Sequence, residues 1–258
     1  MPTPKTVPAL PESLARRKAL VTGASSGIGA AIAKVLAEKG ASVALLARDR
    51  NRLAQVASHC EDHTETAIPI SVDLTETNST DLAVTQAADE LGGLDLLVNA
   101  AGVAYQSKLS DGNPEEWRSM LDLNVFGLAY VTRQSLAHFP DEGGDIVNLG
   151  SMSGHRVPGK GGFYSATKFA VRAMTEGLRQ ELRAKGNLTR VSSVSPGFVD
   201  TALLDTYFRT EGRADNYEAI GYPILSPEDI ASVVIRQLTL PRTAEVTDVL
   251  LRPTQQVT

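Results

Sequence analysis

The stretch Thr22–Gly29, with the sequence TGASSGIG, decides how the N-terminal part of the chain is interpreted. It directly follows an apolar run, Lys18–Thr22, and it opens a segment with helical periodicity. Glycines at such a junction allow a tight turn and a close approach to a phosphate, and the helix N-terminus offers free N–H groups to the anion. The spacing is G-x-x-x-G-x-G and not the common G-x-G-x-x-G fingerprint. The stretch therefore predicts a phosphate-binding turn or, alternatively, a tight strand-to-helix turn without a ligand.

Short apolar runs alternate with helical patterns along the rest of the chain, which is typical of parallel β-α-β units. Several runs are apolar throughout, as expected for strands that helices cover on both faces. We therefore predict an α/β fold: a doubly wound Rossmann-type parallel sheet of about seven strands, with helices on both faces, in a single domain. The expected strands are Lys18–Thr22, Ser42–Ala47, Ala67–Val72, Leu94–Asn99, Asp145–Gly150, Arg190–Val194 and Val246–Leu251.

Capping signals mark the limits of several expected helices. The segment Asn113–Glu116 offers an N-cap, a proline at the first helical position and a glutamate at the third, which predicts a capping box. The segment Ser226–Asp229 repeats this design before the last helix. Gly40 lies where the first helix should end.

The chain has no linker-like composition break and no internal repeat, which favours one domain. Residues 1–14 contain four prolines and no apolar signal core, so we expect a flexible N-terminal arm before a domain of residues 15–258. Residues 202–225 are the least regular stretch. A long connection of this kind predicts a substrate loop or lid.

Composition and charge limit the possible function classes. The net charge of −5 argues against a nucleic-acid partner. Because no apolar run reaches the roughly 18 residues of a membrane span, we expect no membrane partner and a cytoplasmic location. The single cysteine, Cys60, excludes an internal disulfide and a cysteine-based zinc site, and we expect it to be a half-buried helix residue. The four histidines show no metal-ligand spacing, so no metal is expected.

The residue after the second strand bears on the choice of nucleotide. In doubly wound folds a carboxylate at this point bonds the ribose 2′-hydroxyl of NAD. Here Arg48 follows Ala47, and a guanidinium would neutralise a 2′-phosphate and could bond it bidentately. Asp49 could serve as the ribose acid, but we interpret it as the N-cap of the next helix. The pattern favours NADP(H) over NAD.

Tyr164 and Lys168 are four residues apart in a helical pattern, which places both on one helix face. A free phenol titrates near pH ~10, and a neighbouring ammonium favours the phenolate, so the pair predicts a phenol pKa closer to neutrality. Such pairs also occur by chance. Ser151 follows the fifth strand at the sheet edge where ligands bind, and it could hydrogen-bond a substrate oxygen. Asn124 is unfavourable inside a helix unless its amide has a partner.

Together these motifs resemble those of the short-chain dehydrogenase/reductase family of single-domain length. The resemblance runs from Lys18 to Thr258 and departs where the family's Asn-Asn-Ala-Gly reads Asn99–Gly102 (NAAG), with one amide lost. Ser151–Val157, Phe163–Arg183 and Leu251–Thr258 are similar to an NADP-dependent vertebrate branch that reduces keto groups of steroids and other carbonyls. Similar C-terminal Arg-Pro-Thr segments occur in bacterial serine-type 3-hydroxy-acid and clavulanic-acid dehydrogenases.

The resemblance implies an NADP(H)-dependent oxidoreductase that interconverts a ketone and a secondary alcohol, and a homodimer or homotetramer. Ser151 would orient the carbonyl, Tyr164 would donate the proton, and Lys168 would lower the phenol pKa and hold the nicotinamide ribose. Asn124 would fix a water that links Lys168 to bulk solvent. The implied cofactor-binding residues are Gly23, Ser25, Ser26, Gly27, Ile28, Gly29, Arg48, Asp73, Leu74, Asn99, Ala100, Gly102, Tyr164, Lys168, Pro196, Gly197, Val199 and Thr201.

Apolar residues of the later loops could form a substrate wall and lid, or they could belong to ordinary packing. His155 and Arg156 could meet an acidic or polar substrate group, or they could have a structural role. The candidate substrate residues are Ser151, Ser153, Val157, Phe163, Phe198, Leu203, Leu204, Tyr207 and Phe208.

Three alternatives to a carbonyl reductase remain. One is a 3-hydroxy-acid dehydrogenase with the same chemistry, and another is an epimerase or dehydratase, whose members usually carry a larger C-terminal domain. The third is a non-catalytic dinucleotide-binding sensor. The presence of Ser151, Asn124, Tyr164 and Lys168 together favours an enzyme over a sensor.

Overall fold

The chain folds around one parallel sheet. The computed structural model describes residues 13–209, 218 and 220–257. Within them, seven strands lie in the order β3-β2-β1-β4-β5-β6-β7, and every neighbouring pair is parallel. The predicted seven-stranded Rossmann-type sheet in a single domain is confirmed.

All seven predicted strands are present, and their limits differ from the predicted ones by one or two residues at most. β6 runs two residues further than predicted because Pro196 still pairs with Leu251 of β7. The strands are β1 (Lys18–Thr22), β2 (Ser42–Ala47), β3 (Ala67–Ser71), β4 (Leu96–Asn99), β5 (Asp145–Leu149), β6 (Arg190–Pro196) and β7 (Asp248–Leu251).

Helices connect the strands and cover both faces of the sheet. Among the residues that the structure describes, none of these helices has the length and apolar character needed to cross a membrane. A π-helical segment, Asp122–Gly127, interrupts the long helix after β4, and a 3₁₀ turn, Met152–Gly154, follows β5. The helices with described limits are α1 (Gly27–Glu38), α2 (Arg50–Glu61), α3 (Thr77–Leu91), α4 (Pro114–Leu121), α5 (Leu128–Leu136), α6 (Gly162–Ala184), α7 (Leu203–Phe208) and α8 (Pro227–Leu238).

The two larger apolar clusters of the core lie one on each face of the sheet, and a smaller third cluster surrounds Tyr164. Successive strand residues point to opposite faces, so Leu20 of β1 joins one cluster and Val21 joins the other. Residues of α1, α2 and α8 share the cluster of Val21, and residues of α3, α5 and α6 share the cluster of Leu20. Cys60 was expected to be half-buried, but it is fully buried in the Val21 cluster, and burial raises the pKa of its thiol to about 11.

The helix limits follow local hydrogen bonding. The Ser226 side chain accepts from the Asp229 backbone N–H, and the Asp229 carboxylate accepts from the Ser226 N–H, which confirms the predicted capping box of α8. Gly40 follows the last residues of α1 with φ +87°, a left-handed conformation that glycine adopts without strain. The predicted end of α1 at this glycine is therefore confirmed.

The predicted capping box of α4 is wrong. Asn113 is the N-cap, but its side chain accepts from the Glu115 N–H at 2.9 Å. Glu116, the expected reciprocal partner, pairs instead with the Arg209 guanidinium at 2.7 Å. The ion pair with Arg209 competes with the backbone cap for the Glu116 carboxylate. Glu116 therefore joins α4 to the end of α7.

Two expectations about irregular segments need correction. Leu14 was placed in the flexible arm, but it is buried and its N–H donates to the carbonyl of Lys39 at 2.8 Å. Residues 1–12 lie outside the described residues. The expected loop at residues 202–225 contains α7, and Leu225 pairs with Val199 in an isolated parallel bridge. Residues 210–217 and 219 of that stretch also lie outside the described residues.

A buried carboxylate ties the amino ends of the central strands together. Asp145, the first residue of β5, is 3% exposed and accepts hydrogen bonds from three arginines. Arg190 of β6 donates at 2.6 Å, Arg17 at 2.8 Å and Arg242 at 3.0 Å. Because these arginines come from distant parts of the sequence, one charged side chain joins the start of β1, β5 and β6 and the segment before β7.

We predict that Asp145→Ala lowers the free energy of unfolding by about 3–5 kcal/mol, because it leaves the buried Arg190 guanidinium without its counter-charge. Urea denaturation followed by circular dichroism measures this. Arg242→Ala is the matched control: its side chain is 48% exposed, so its pair with Asp145 should contribute about 1 kcal/mol or less. Equal losses for the two variants would contradict the assignment.

Candidate active site

A cavity of about 840 Å³ opens where β4, β5 and β6 end. Ligands bind at this carboxyl edge in open α/β sheets. The cavity contains half of the residues predicted for the cofactor, and the other half lie outside its wall, at the glycine turn, in β4 and beyond the ends of β2 and β3. The predicted cofactor residues that line it are Ile28, Ala100, Gly102, Tyr164, Lys168, Pro196, Gly197, Val199 and Thr201.

The structure brings Ser151, Tyr164 and Lys168 together in this cavity. Ser151 is the N-cap of the 3₁₀ turn after β5, its side chain accepts from the Ser153 N–H at 3.1 Å, and it lies near enough to the Tyr164 phenol to favour a lower phenol pKa. The Lys168 ammonium donates to the carbonyl of Leu149, the last residue of β5, at 2.8 Å. Its nitrogen lies 5.8 Å from the centroid of the Tyr164 ring.

Burial controls the proton affinities of this group. Loss of solvent raises the pKa of Tyr164 to about 12 from an ordinary value of 10.0, and the nearby Ser151 only partly opposes this. Burial also lowers the pKa of Lys168 from 10.5 to about 8. The sequence predicted a phenol pKa lowered by Lys168. The pKa of Tyr164 is raised instead, because burial disfavours the charged phenolate.

Asn124 has the partners that its position requires. It lies in the π-helical segment, where its Oδ1 accepts from the Val103 N–H and its Nδ2 donates to the Val103 carbonyl, both at 2.8 Å. Nδ2 also donates to Thr167 Oγ1 at 3.2 Å. Both N–H bonds of the amide are used within the protein, while the oxygen atoms of Asn124 can still accept a hydrogen bond, so the water expected from the sequence stays a prediction. The side chain joins the loop after β4 to α6, next to Lys168.

The glycine turn has the shape of a phosphate cradle. Gly23 has φ +67°, and a Cβ there would lie 2.8 Å from the Ala101 Cα. At Gly29 a Cβ would lie 2.4 Å from the carbonyl oxygen of Gly23. Ser26 is the N-cap of α1, but its side chain does not cap the helix, so the first turn keeps N–H groups for an anion. These residues fit the pyrophosphate of a dinucleotide.

Arg48 and Asp49 have separate surroundings. Asp49 is the N-cap of α2, as predicted: its Oδ1 accepts from the Arg52 N–H at 3.0 Å, and its Oδ2 lies 3.4 Å from the Arg52 Nε. Both carboxylate oxygens therefore have local partners. The Arg48 side chain is exposed at the end of β2. It also lies near Asp73, whose pKa is lowered, first by the backbone N–H of Thr75 and to a smaller degree by Arg48.

The segment Asn99–Gly102 keeps its shape although it lacks one amide of the family pattern. Thr22 Oγ1, at the end of β1, accepts from the Ala100 and Ala101 N–H groups at 3.0 and 3.1 Å. The Asn99 Nδ2 donates to Asn148 Oδ1 of β5 at 2.9 Å. Hydrogen bonds from neighbouring strands therefore hold the loop against the glycine turn.

The candidate substrate residues divide into two groups. Phe163 does not line the cavity, because its ring stacks on Trp117 with centroids 5.3 Å apart. Phe208 packs against Tyr207 and Phe198 behind the wall. Tyr207 stands edge-on to Tyr164 at 5.8 Å. The candidates that line the cavity are Ser151, Ser153, Val157, Phe198, Leu203, Leu204 and Tyr207.

Several residues of the cavity wall were not expected from the sequence, and those from the C-terminal part of the chain are Tyr222, Arg252, Gln256 and Val257. Gln256 Oε1 accepts from the Phe198 N–H at 3.3 Å, which holds the C-terminal segment against the loop after β6. These residues lie in irregular segments without periodicity or motif. The similarity of the C-terminal Arg-Pro-Thr segment to that of other dehydrogenases was the one available signal.

The adjacent residues His155 and Arg156 have different surroundings. The His155 Nε2 lies 3.1 Å from Ser195 Oγ and 3.4 Å from Asp248 Oδ2, so its ring contacts β6 and β7. Burial lowers the pKa of His155, and Asp248 opposes this shift. Arg156 lines the cavity.

A phosphate cradle and a Ser-Tyr-Lys group at the carboxyl edge of one parallel sheet define the class of an oxidoreductase that uses a nicotinamide dinucleotide. Residues 17–212 match the family described as short chain dehydrogenase. The chain belongs to the short-chain dehydrogenase/reductase family, whose members bind a nicotinamide dinucleotide.

Comparison with individual proteins agrees with this membership. The chain is 38% identical over 252 residues to dehydrogenase/reductase SDR family member 11 of Bos taurus, covering 94% of this chain and 98% of the relative. Its structure is similar to that of a serine dehydrogenase complexed with NADP+ (TM-score 0.85, 28% identity, 93% of this chain and 96% of that one). It is also similar to a 3-ketoacyl-(acyl-carrier-protein) reductase of Brucella melitensis complexed with NADH (TM-score 0.83, 29% identity, 95% and 100%).

Proposed function

We propose that the protein is an NADP(H)-dependent dehydrogenase/reductase that interconverts a ketone and a secondary alcohol. The observation that carries this proposal is that Ser151, Tyr164 and Lys168 line one cavity, with the Lys168 ammonium held by the Leu149 carbonyl at 2.8 Å and lying 5.8 Å from the centroid of the Tyr164 ring. The apolar part of the wall, including Phe198 and Leu204, suits the carbon skeleton of a carbonyl compound.

In the reductive direction the substrate carbonyl oxygen lies between Ser151 and Tyr164. The reduced nicotinamide, when bound, supplies the hydride. The Ser151 hydroxyl donates a hydrogen bond that orients the carbonyl. Tyr164, with its raised pKa, is protonated at neutral pH and donates its proton to the developing alkoxide. The Lys168 ammonium then stabilises the phenolate that Tyr164 becomes.

We predict that Tyr164→Phe lowers kcat for carbonyl reduction by about 10²–10⁴-fold, because it removes only the proton donor. Absorbance of NADPH at about 340 nm, with a panel of steroid, aliphatic and aryl ketones and 3-hydroxy acids, measures turnover; nucleotide fluorescence measures binding, which should be retained. Tyr130→Phe is the matched control, since the Tyr130 hydroxyl donates to Asp81 and lies outside the cavity.

Undiminished turnover in Tyr164→Phe, with normal folding, would remove this residue from its assigned role. A wild-type protein that binds NADPH but converts no compound of a broad panel would support the dinucleotide-binding sensor.

A second candidate is a 3-hydroxy-acid dehydrogenase, and one observation favours it. Arg156 and Arg252 line the cavity, and none of its described lining residues is acidic. Two guanidinium groups could bind a substrate carboxylate. In the same substrate panel, a higher kcat/KM for 3-hydroxy acids than for uncharged ketones and alcohols would favour this candidate.

The proposed preference for NADP(H) is supported by the contrast between Arg48 and Asp49. Asp49 caps α2 and its carboxylate lies beside the Arg52 guanidinium, so part of its capacity to accept hydrogen bonds is already used. The Arg48 guanidinium is exposed at the end of β2, where the adenosine ribose binds in doubly wound folds.

We predict that Arg48→Ala raises the Kd for NADPH by about 10–100-fold, the value of one charge-assisted hydrogen bond, and changes the Kd for NADH by less than about twofold. Fluorescence titration with each nucleotide measures this. The control is Arg50→Ala, which removes a similar exposed charge two residues further along. Equal effects of Arg48→Ala on both nucleotides would show that the 2′-phosphate contact is assigned wrongly.

We also propose a homodimer or homotetramer. Leu121, Phe126 and Phe169 are exposed apolar residues on α4, the π-helical segment and α6, which suits a buried contact between copies. Light scattering should give two or four times 27.4 kDa. Phe126→Lys should reduce this mass, whereas Leu82→Lys, at an exposed leucine of α3, should not. A wild-type monomer at every concentration would refute the proposal.

A further inference from the structure

The ends of α1 and α2 bring three potential metal ligands together on the surface. Glu38 is the last residue of α1, His59 lies in the last turn of α2, and His63 follows two residues after α2 ends. One ligand atom of each side chain lies within 4.8 Å of the other two. From the sequence we expected no metal, because the four histidines showed no metal-ligand spacing. His59 and His63 are nevertheless four residues apart, and their rings are neighbours in the structure.

The local backbone sets this arrangement. The His63 N–H donates to the carbonyl of Cys60 at 2.9 Å, which continues the turn of α2 beyond its last helical residue. The imidazole ring of His63 therefore lies next to that of His59, with centroids 5.3 Å apart and planes at 54°. Two imidazoles that are neighbours but not stacked can turn one nitrogen each toward a common point.

The His59 ring nitrogen nearest to Glu38 lacks a hydrogen bond. His59 Nε2 is shielded from solvent and has no hydrogen-bond partner among the described residues. The closest carboxylate oxygen, Oε1 of Glu38, lies 3.6 Å away, too far for a good hydrogen bond. A shielded polar atom without a partner is costly, so this nitrogen would gain from a ligand that both groups can share.

We propose that Glu38, His59 and His63 form a binding site for a divalent transition metal of the zinc type. Zn²⁺ binds imidazole nitrogen at about 2.0–2.1 Å and carboxylate oxygen at about 2.0–2.2 Å, so two ligands of one tetrahedral ion lie about 3.3 Å apart. The separation of 3.6 Å between His59 and Glu38 is close to this. Two imidazoles and one carboxylate suit Zn²⁺ or Cu²⁺, whereas Mg²⁺ and Ca²⁺ prefer oxygen ligands.

The position of the site indicates a structural role. It lies before β2 and β3, at the amino ends of the strands, whereas the active-site cavity opens at their carboxyl ends. A metal there would connect α1 to α2. Cys60, next to His59 in sequence, is buried in the apolar core and is not part of the ligand set.

Titration of the full-length, tag-free protein with ZnCl2 tests the proposal, by isothermal calorimetry and by thermal unfolding. Wild-type protein should bind one ion, and its Tm should rise by roughly 3–5 °C when zinc stands at ten times its Kd. His63→Ala should weaken binding at least tenfold and reduce the Tm shift at the same zinc concentration to about 1 °C or less. Glu38→Gln should weaken binding too, because an amide is a poorer ligand than a carboxylate.

His138→Ala is the matched control, since it removes an imidazole that lies outside the cluster; its zinc binding should equal that of the wild type. His63→Gln replaces His63→Ala if the latter fails to fold, as judged by circular dichroism without zinc. Zinc binding that persists in the His63 variant, that disappears in His138→Ala, or that is absent from the wild type would overturn the site. Turnover should be unchanged by the His63 variant.

Discussion

The hydrogen bond from the Lys168 ammonium to the carbonyl of Leu149 is the contact on which the active site depends. It joins α6 to the last residue of β5. Ser151 lies two residues after Leu149, and Tyr164 lies one helical turn before Lys168. The contact between Lys168 and Leu149 therefore brings the serine hydroxyl near the phenol. A buried ammonium is unstable without a strong acceptor, so the sheet and the helix are held in one relative position.

Burial then orders the proton affinities of the site. It raises the pKa of Tyr164 to about 12 and lowers that of Lys168 to about 8, so the two values move apart. Near neutral pH the phenol keeps its proton while the lysine is largely charged. A neutral donor next to a cation would suit the proposed carbonyl reduction, because the cation would balance the negative charge that forms on the substrate oxygen.

The sheet and the cofactor-facing edge could be predicted from the sequence because their signals are local. Apolar strand runs, the TGASSGIG turn and the four-residue spacing of Tyr164 and Lys168 depend on neighbours in the chain. The failures have long-range causes. Glu116 leaves its expected cap for Arg209, and Phe163 turns from the substrate wall to Trp117, because partners distant in sequence compete for these side chains.

Contacts between residues distant in sequence also explain the features of the two sites that the sequence did not indicate. Gln256 reaches the cavity because the C-terminal segment returns to the loop after β6, and Glu38 meets His59 because α1 and α2 end side by side. The raised pKa of Tyr164 could not be predicted from the sequence either. The spacing to Lys168 was visible, but the burial that raises this pKa depends on residues from the whole core.

The π-helical segment has a consequence for the long helix that contains it. A π-turn closes with an i→i+5 hydrogen bond and so holds one residue more than an α-turn, which changes the directions of the side chains within the segment. Met120 before the segment and Val131 after it are both buried, whereas Phe126 between them is turned outward. Within the π-helical segment, Asn124 therefore points inward, whereas the Phe126 ring lies on the outside of the molecule.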